Sequence, residues 1–177
     1  MQNMIVLDLV LLGLLCLASA FDLARRRIPN RLLAAGLCAA LVLHLSSGHP
    51  AALLSTYLAG FAVGLLMFLP LYLMGGMAAG DVKLMATVGA FIGPSMVFQA
   101  SLATYCAGGV LALAIVLVRG HGRAALANVG ALLHPLLLRL GGARLAPDST
   151  PAPSVGGMPY AVAITLGTLL VMWLHHR

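Results

Sequence analysis

Apolar stretches long enough to cross a membrane recur along the whole chain, and this pattern constrains the fold more than any other feature. A helix needs roughly 20 mostly apolar residues to span the hydrocarbon of a bilayer. The chain has 177 residues, of which 62% are hydrophobic and 8% charged, whereas about 25% of the residues in soluble domains are charged. We therefore expect an all-α, polytopic membrane helical bundle of about six transmembrane helices, formed by a single membrane-embedded domain, residues 1–177.

The expected spans are separated by short turns that are basic or rich in glycine, serine and proline. The third span contains Gly60 and Gly64, a GxxxG pair that allows two helices to approach closely. Gly93 and Pro94 break the fourth span or mark its outer turn. We place the spans at residues 4–20, 31–45, 51–73, 82–91, 98–118 and 160–174.

Residues 124–140 form a further apolar segment of a different kind. Basic residues flank it on both sides, and His134 and Pro135 interrupt it. We therefore expect an interfacial helix on the cytoplasmic face of the membrane, inside a cytoplasmic loop of about 119–157. The alternative is that this segment crosses the membrane, which would place the carboxyl terminus inside.

The basic residues predict the orientation of the bundle. Nine of the 10 lysines and arginines fall on one side of this layout, which the positive-inside rule makes cytoplasmic, and only Arg177 falls outside. These charges form short clusters between apolar runs and lack the aromatic interleaving of a nucleic-acid surface. We therefore expect the lipid bilayer, and no nucleic acid, as a partner. The nine are Arg25, Arg26, Arg27, Arg31, Lys83, Arg119, Arg123, Arg139 and Arg144.

Cysteine and histidine give no sign of a metal site. Cys16, Cys38 and Cys106 are isolated, and each lies within an apolar run, so we expect them to be small core residues. No CxxC pair is present for zinc, the odd number gives no disulfide framework, and the histidines lack the spacing of metal ligands.

The acidic residues are few, and two of them are candidates for a joint site. The chain has no glutamate, and its aspartates are Asp8, Asp22, Asp81 and Asp148. A carboxylate at the edge of the hydrocarbon is costly and marks a functional site by default. Asp22 and Asp81 fall at the same depth and on the same face of this layout, whereas Asp8 lies 22 − 8 = 14 residues from Asp22, about 21 Å along a helix, near the outer surface. Asp148 lies in a proline-rich linker.

Two carboxylates held close together suit peptide hydrolysis. They cannot both ionise cheaply, so one keeps a proton while the other acts as a base. The base takes a proton from the attacking water, and the protonated partner hydrogen-bonds the scissile carbonyl oxygen. Other roles remain open at this point: Asp81 as the N-cap of the fourth helix, Asp22 in a salt bridge with Arg25 or Arg26, or acids of a proton-coupled transporter, which would lie nearer the middle of the membrane.

Three motifs follow one another along the chain: Asp22-Leu-Ala-Arg-Arg-Arg-Ile-Pro-Asn30, Ala78-Ala-Gly-Asp-Val-Lys-Leu-Met85 with Gly89 following, and Gly157-Met-Pro-Tyr160. Taken together, they resemble in order and spacing the type IV prepilin leader peptidases, most closely the short form associated with tight-adherence (Flp) pili. The resemblance implies a GxGD-type intramembrane aspartyl endopeptidase. Such enzymes cut the basic leader from prepilins and pseudopilins at the cytoplasmic face of the bacterial inner membrane, usually just after a glycine.

The resemblance also assigns residues. Asp22 matches the first catalytic aspartate and Asp81 the one inside the GxGD motif, whose first glycine is replaced here by Ala78. We expect Gly80, Lys83, Pro159 and Tyr160 to contact substrate, with a snorkelling interfacial side chain as the alternative for Lys83 and a simple helix start for the last motif.

The cysteine-rich insertion of the long, bifunctional form, which also methylates the new amino terminus with S-adenosylmethionine, is absent, and we expect no cofactor. The competing functional hypothesis is a non-enzymatic membrane protein, either a proton-linked small transporter or a pilus-assembly subunit.

Overall fold

The structure is a computed structural model that describes residues 2–46, 53–119 and 159–177, and this part of the chain is all-helical. A π-helical stretch, Leu53–Leu58, runs directly into the third helix. The predicted interfacial helix at 124–140 and the Gly157-Met158 half of the last motif lie outside the described residues. The helices are α1 (Gln2–Arg25), α2 (Asn30–Ser46), α3 (Ala59–Leu73), α4 (Ala79–Arg119) and α5 (Tyr160–His175).

Three of the described stretches are long and apolar enough to cross a membrane: Ile5–Arg25, Leu53–Leu73 and Ala79–Ala114. The helices α2 and α5 are also apolar but shorter. These findings confirm the all-α fold and its membrane character, while the number of crossings stays a prediction.

Helix α1 extends further than the sequence pattern indicates. We predicted an apolar span ending near residue 20, but the helix continues to Arg25. Residues 21–25 contain neither glycine nor proline, so nothing local stops the helix. It ends at Arg26, which has φ 51° and donates its backbone N–H to the carbonyl of Asp22 at 2.9 Å. Asp22 therefore lies in the last helical turn of α1, where its direction is fixed by the helix.

Helix α4 is folded back on itself at Gly93 and Pro94, as the sequence predicted. Gly93 has φ 81° and ψ 174°, a conformation that only glycine adopts readily, and Pro94 restarts the helix. The two arms, 79–92 and 94–119, lie against each other: a Cβ placed on Gly89 would lie 3.2 Å from Cγ2 of Val97. Residues equally distant from Gly93 therefore come to similar levels in the bundle.

The backbones of α3 and α4 are in direct contact. A Cβ on Gly60 would overlap the carbonyl of Gly89, and a Cβ on Gly64 would overlap the carbonyl of Met85. The GxxxG prediction for Gly60 and Gly64 is confirmed, with the first arm of α4 as the partner helix. This close contact makes the first arm the centre of the bundle, where Leu84, Met85 and other side chains are fully buried.

The outside of the bundle is apolar, as lipid contact requires. Large side chains such as Leu66 and Val110 are 61% and 69% exposed. The prediction that the three cysteines are core residues is wrong, because Cys16, Cys38 and Cys106 are all exposed. In a membrane helix both faces are apolar, so an apolar run does not distinguish the core from the lipid-facing surface.

Candidate active site

Asp22 connects the end of α1 to the start of α5. Its side chain is buried, and Oδ2 accepts the backbone N–H of Ala161 at 3.0 Å. The first N–H groups of a helix have no intrahelical partner, and the N-cap residue of α5, Pro159, makes no side-chain capping bond. Asp22 supplies that cap from another helix. The structure does not favour a salt bridge between Asp22 and Arg25, because the Arg25 guanidinium lies over the Phe21 ring, 5.6 Å from its centroid.

Asp81 lies just after the tight turn that connects α3 to α4. Helix α3 ends with Gly75 at φ 76°, where the N–H of Gly75 bonds the carbonyl of Tyr72 and the N–H of Gly76 bonds that of Leu71, both at 2.9 Å. This pair of bonds is the Schellman arrangement, which needs the left-handed conformation that glycine provides. After a few residues α4 begins, and Asp81 is its third residue.

The carboxylate of Asp81 is buried and accepts the backbone N–H of Ala78. Asp81 is therefore not the N-cap itself, but its side chain reaches back to the residue before the helix, as in a capping box. Asp81 thus takes part in the start of α4, as the N-cap alternative proposed, and also lies near Asp22. Ala78 is exposed, so its methyl group is accommodated where the related motif has glycine.

Asp22 and Asp81 come together although 81 − 22 = 59 residues separate them. Each is 7% exposed, and the two carboxyl groups are near enough to interact electrostatically. Each carboxylate also accepts one backbone N–H at the beginning of a helix, from Ala161 or from Ala78. The structure therefore holds two buried carboxyl groups from separate helices near each other.

Tyr160 lies beside this pair. It is the first residue of α5, follows the N-cap Pro159, and interacts electrostatically with both Asp81 and Tyr105. Its ring meets the Phe68 ring edge-on, with centroids 6.2 Å apart. Of the predicted substrate contacts on α5, Tyr160 is thus placed close to Asp81.

Tyr105 is a residue of this region that the sequence analysis missed. Its ring stacks on Phe68 at 5.1 Å, and its hydroxyl donates to the carbonyl of Met67. The signal was present in the chain: Asp81 and Tyr105 lie 93 − 81 = 12 and 105 − 93 = 12 residues from Gly93, so a hairpin at Gly93 aligns them. The Phe68 ring therefore contacts both tyrosines, Tyr105 by stacking and Tyr160 edge-on.

Gly80 and Lys83 occupy different positions around α4. Gly80 is partly buried against the loop between α1 and α2, where a Cβ would lie 3.6 Å from Cβ of Ile28. Lys83 is exposed and donates to Oδ1 of Asn30 at 3.2 Å. Two residues correspond to roughly 200° around a helix, so Lys83 faces α2 while Asp81 faces α1 and α5.

The opposite end of the α1 and α5 pair carries a second polar contact. Oδ2 of Asp8 lies 3.2 Å from Nε2 of His176. Since Asp22 meets Ala161 and Asp8 meets His176, the two helices run antiparallel. Asp8 lies at the far end from the aspartate pair, as its 14-residue separation predicted. Among residues 2–46, 53–119 and 159–177, no three histidine, cysteine, aspartate or glutamate side chains come together as a metal site would require.

Comparison with known protein families gives a match to a protease family. The sequence model of the type IV leader peptidase family matches residues 9–113, more than half of the chain. The matched stretch contains Asp22 and Asp81, whereas Tyr160 lies beyond it. Comparisons with curated proteins and with solved structures give no match.

Proposed function

The chain belongs to the type IV leader peptidase family, a family of proteases, and we propose that it is a membrane aspartyl endopeptidase that removes the leader peptide of type IV or Flp-type prepilins. The observation that carries this proposal is the buried neighbourhood of Asp22 and Asp81, which come from two helices and interact electrostatically. An aspartate that only capped a helix would not need a second buried carboxyl group near it.

In the proposed reaction, one carboxylate is ionised and its partner is protonated. The ionised carboxylate removes a proton from a water molecule, whose oxygen attacks the carbonyl carbon of the scissile peptide bond. The protonated carboxyl donates to the carbonyl oxygen as negative charge develops there. When the tetrahedral intermediate collapses, the carbon–nitrogen bond breaks, and the leaving nitrogen takes the proton that came from water. The mechanism requires no cofactor.

The neighbouring residues fit supporting roles in this reaction. Each aspartate is held by one backbone N–H, which leaves further acceptor positions on its two oxygens for water or substrate. The Tyr160 hydroxyl, beside Asp81, is a donor that can orient the substrate carbonyl. Gly80 leaves the backbone next to Asp81 open to an extended peptide, because it carries no Cβ.

The proposed topology has six crossings, with α4 crossing twice through its turn at Gly93. The positive-inside rule then places the basic loop at residues 25–31 in the cytoplasm, together with the aspartate pair that adjoins it. The Asp8 and His176 pair lies at the outer surface. The substrate would insert its apolar segment in the membrane and present its leader junction at the cytoplasmic boundary.

The test is a cleavage assay with the full-length protein in detergent and a prepilin that carries its leader. Mass spectrometry should show loss of the leader at a single bond on the amino-terminal side of the apolar segment. A prepilin whose junction glycine is replaced by a bulky residue is the matched control and should stay largely uncut. An intact wild-type prepilin after incubation with folded protein would count against the proposal and in favour of a transporter or an assembly subunit.

A further inference from the structure

A groove separate from the aspartate pair opens between α2, α3 and the first arm of α4. Its volume is about 290 Å³, and its walls are almost wholly apolar. Leu33, Ala34 and Leu37 line it from α2, Phe61 and Leu65 from α3, and Ala86 and Thr87 from α4. Such a groove on the outside of a membrane bundle is accessible to lipid.

The charged and amide side chains of this groove lie at one end. Asn30 and Lys83 line it there and are joined by a hydrogen bond of 3.2 Å. A lysine ammonium has three N–H donors, so the bond to Asn30 leaves two for another acceptor. Arg27 and Arg31 are exposed and lie within three residues of Asn30 along the chain. This end of the groove therefore attracts negative charge.

The groove and the aspartate pair use different faces of α4. Lys83 is turned roughly 200° from Asp81 around the helix, and the groove lies on the side of α2 rather than of α1 and α5. The groove is also small for a substrate helix, since a helix roughly 10 Å across and three turns long fills on the order of 1,300 Å³. Its volume is at the lower limit of small-ligand pockets, about 300 Å³, which suits a flexible acyl chain.

We propose that this groove binds one anionic phospholipid, with an acyl chain between α2, α3 and the first arm of α4 and the headgroup phosphate on Lys83, beside Asn30. The apolar walls favour the hydrocarbon chain, and the ammonium group forms a charge-assisted hydrogen bond with the phosphate. The exposed Arg27 and Arg31 add long-range attraction for an anionic headgroup over a zwitterionic one. The site is independent of the peptidase reaction.

The test measures lipid retention by native mass spectrometry on the full-length protein in mild detergent, titrated with dioleoyl phosphatidylglycerol or dioleoyl phosphatidylcholine. Lys83→Gln should weaken binding of the anionic lipid by roughly fivefold to tenfold, as expected for the loss of one ionic contact. Arg177→Gln removes the same charge near Trp173, away from the groove, and should leave that affinity unchanged. Ala34→Phe fills the groove from an exposed position and should reduce retention of both lipids.

Three results would overturn the inference. Equal affinities for phosphatidylglycerol in the Lys83→Gln and Arg177→Gln variants would show that Lys83 does not hold the headgroup, and unchanged retention in a folded Ala34→Phe variant would show that no acyl chain enters the groove. If Lys83→Gln instead weakens prepilin binding and leaves lipid retention unchanged, Lys83 is a substrate contact and the lipid site is rejected. None of these readouts depends on cleavage, so the lipid site and the peptidase activity stand or fall separately.

Discussion

The carboxylate of Asp22 accepts the backbone N–H of Ala161 at 3.0 Å, a contact between residues 139 positions apart. This bond fixes the start of α5 against the end of α1, and it places Tyr160, one residue earlier, beside Asp81. The same side chain is therefore a structural cap and a proposed catalytic group. These two roles can be separated experimentally, because capping needs only an oxygen acceptor whereas proton transfer needs a carboxylate.

Asp22→Asn and Asp22→Ala should differ in stability although both should lose most of the cleavage activity. Asparagine keeps a side-chain oxygen for the Ala161 N–H, whereas alanine leaves that buried donor unpaired, at a cost of about 1–3 kcal/mol. Thermal unfolding in detergent should show the alanine variant melting below the asparagine variant. Identical melting temperatures would mean that the bond to Ala161 contributes nothing to the fold.

Gly108→Ala should impair cleavage while Gly109→Ala should not. A Cβ on Gly108 would lie 2.9 Å from the hydroxyl of Tyr160, so the ring must move, whereas a Cβ on Gly109 would meet nothing within 4 Å. Displacing the Tyr160 hydroxyl from Asp81 should lower kcat by roughly tenfold, since small misplacements of catalytic groups are costly. Steady-state kinetics should give kcat for the Gly108→Ala and Gly109→Ala variants. Equal kcat values would show that the Tyr160 hydroxyl does not take part in the reaction.

Gly60→Ala should destabilise the bundle, with Gly13→Ala as the matched control. A methyl group on Gly60 overlaps the carbonyl of Gly89 and forces α3 away from α4, at a cost of about 1–3 kcal/mol. A methyl group on Gly13 meets nothing within 4 Å, and replacing a helical glycine by alanine stabilises by roughly 0.5–1 kcal/mol. The two melting temperatures should therefore shift in opposite directions. A neutral Gly60→Ala variant would contradict the direct backbone contact.

Gly80→Ala tests whether the glycine beside Asp81 serves substrate rather than fold. A Cβ at this position would make only ordinary contacts with Ile28, the nearest at 3.6 Å, so the variant should melt like the wild type. If an extended peptide passes over this backbone, the added methyl group should raise KM by roughly tenfold, the effect of a misfit worth about 1.4 kcal/mol. An unchanged KM would show that substrate does not approach here.

The sequence predicted those parts of the fold that depend on local chemistry. The apolar runs predicted the helices, and Gly93 with Pro94 predicted the turn within α4. The Gly60 and Gly64 pair predicted the close contact with a partner helix. The carboxylates were recognisable because an aspartate is rare and costly in an apolar chain. The structure brings Asp22 and Asp81 together, while their catalytic role stays a prediction.

The contacts between distant helices could not be read from the sequence in the same way. Lys83 was expected among the substrate contacts, with a snorkelling side chain as the alternative, and its bond to Asn30 depends on how α2 packs against α4. The exposed positions of the cysteines depend on how whole helices rotate in the bundle, which an apolar pattern on all faces does not encode. The position of Tyr105 near Tyr160 could be predicted only once the two arms of α4 were known to lie against each other.

The most direct test of the central claim compares prepilin cleavage by the wild type, Asp22→Asn and Asp81→Asn, with the melting temperature of each protein measured in parallel. If both carboxylates take part in proton transfer, each substitution should lower kcat by roughly 10²- to 10⁴-fold. Each variant should still be folded in detergent, as its melting temperature will show. Cleavage at the wild-type rate by either folded variant would contradict the two-aspartate site.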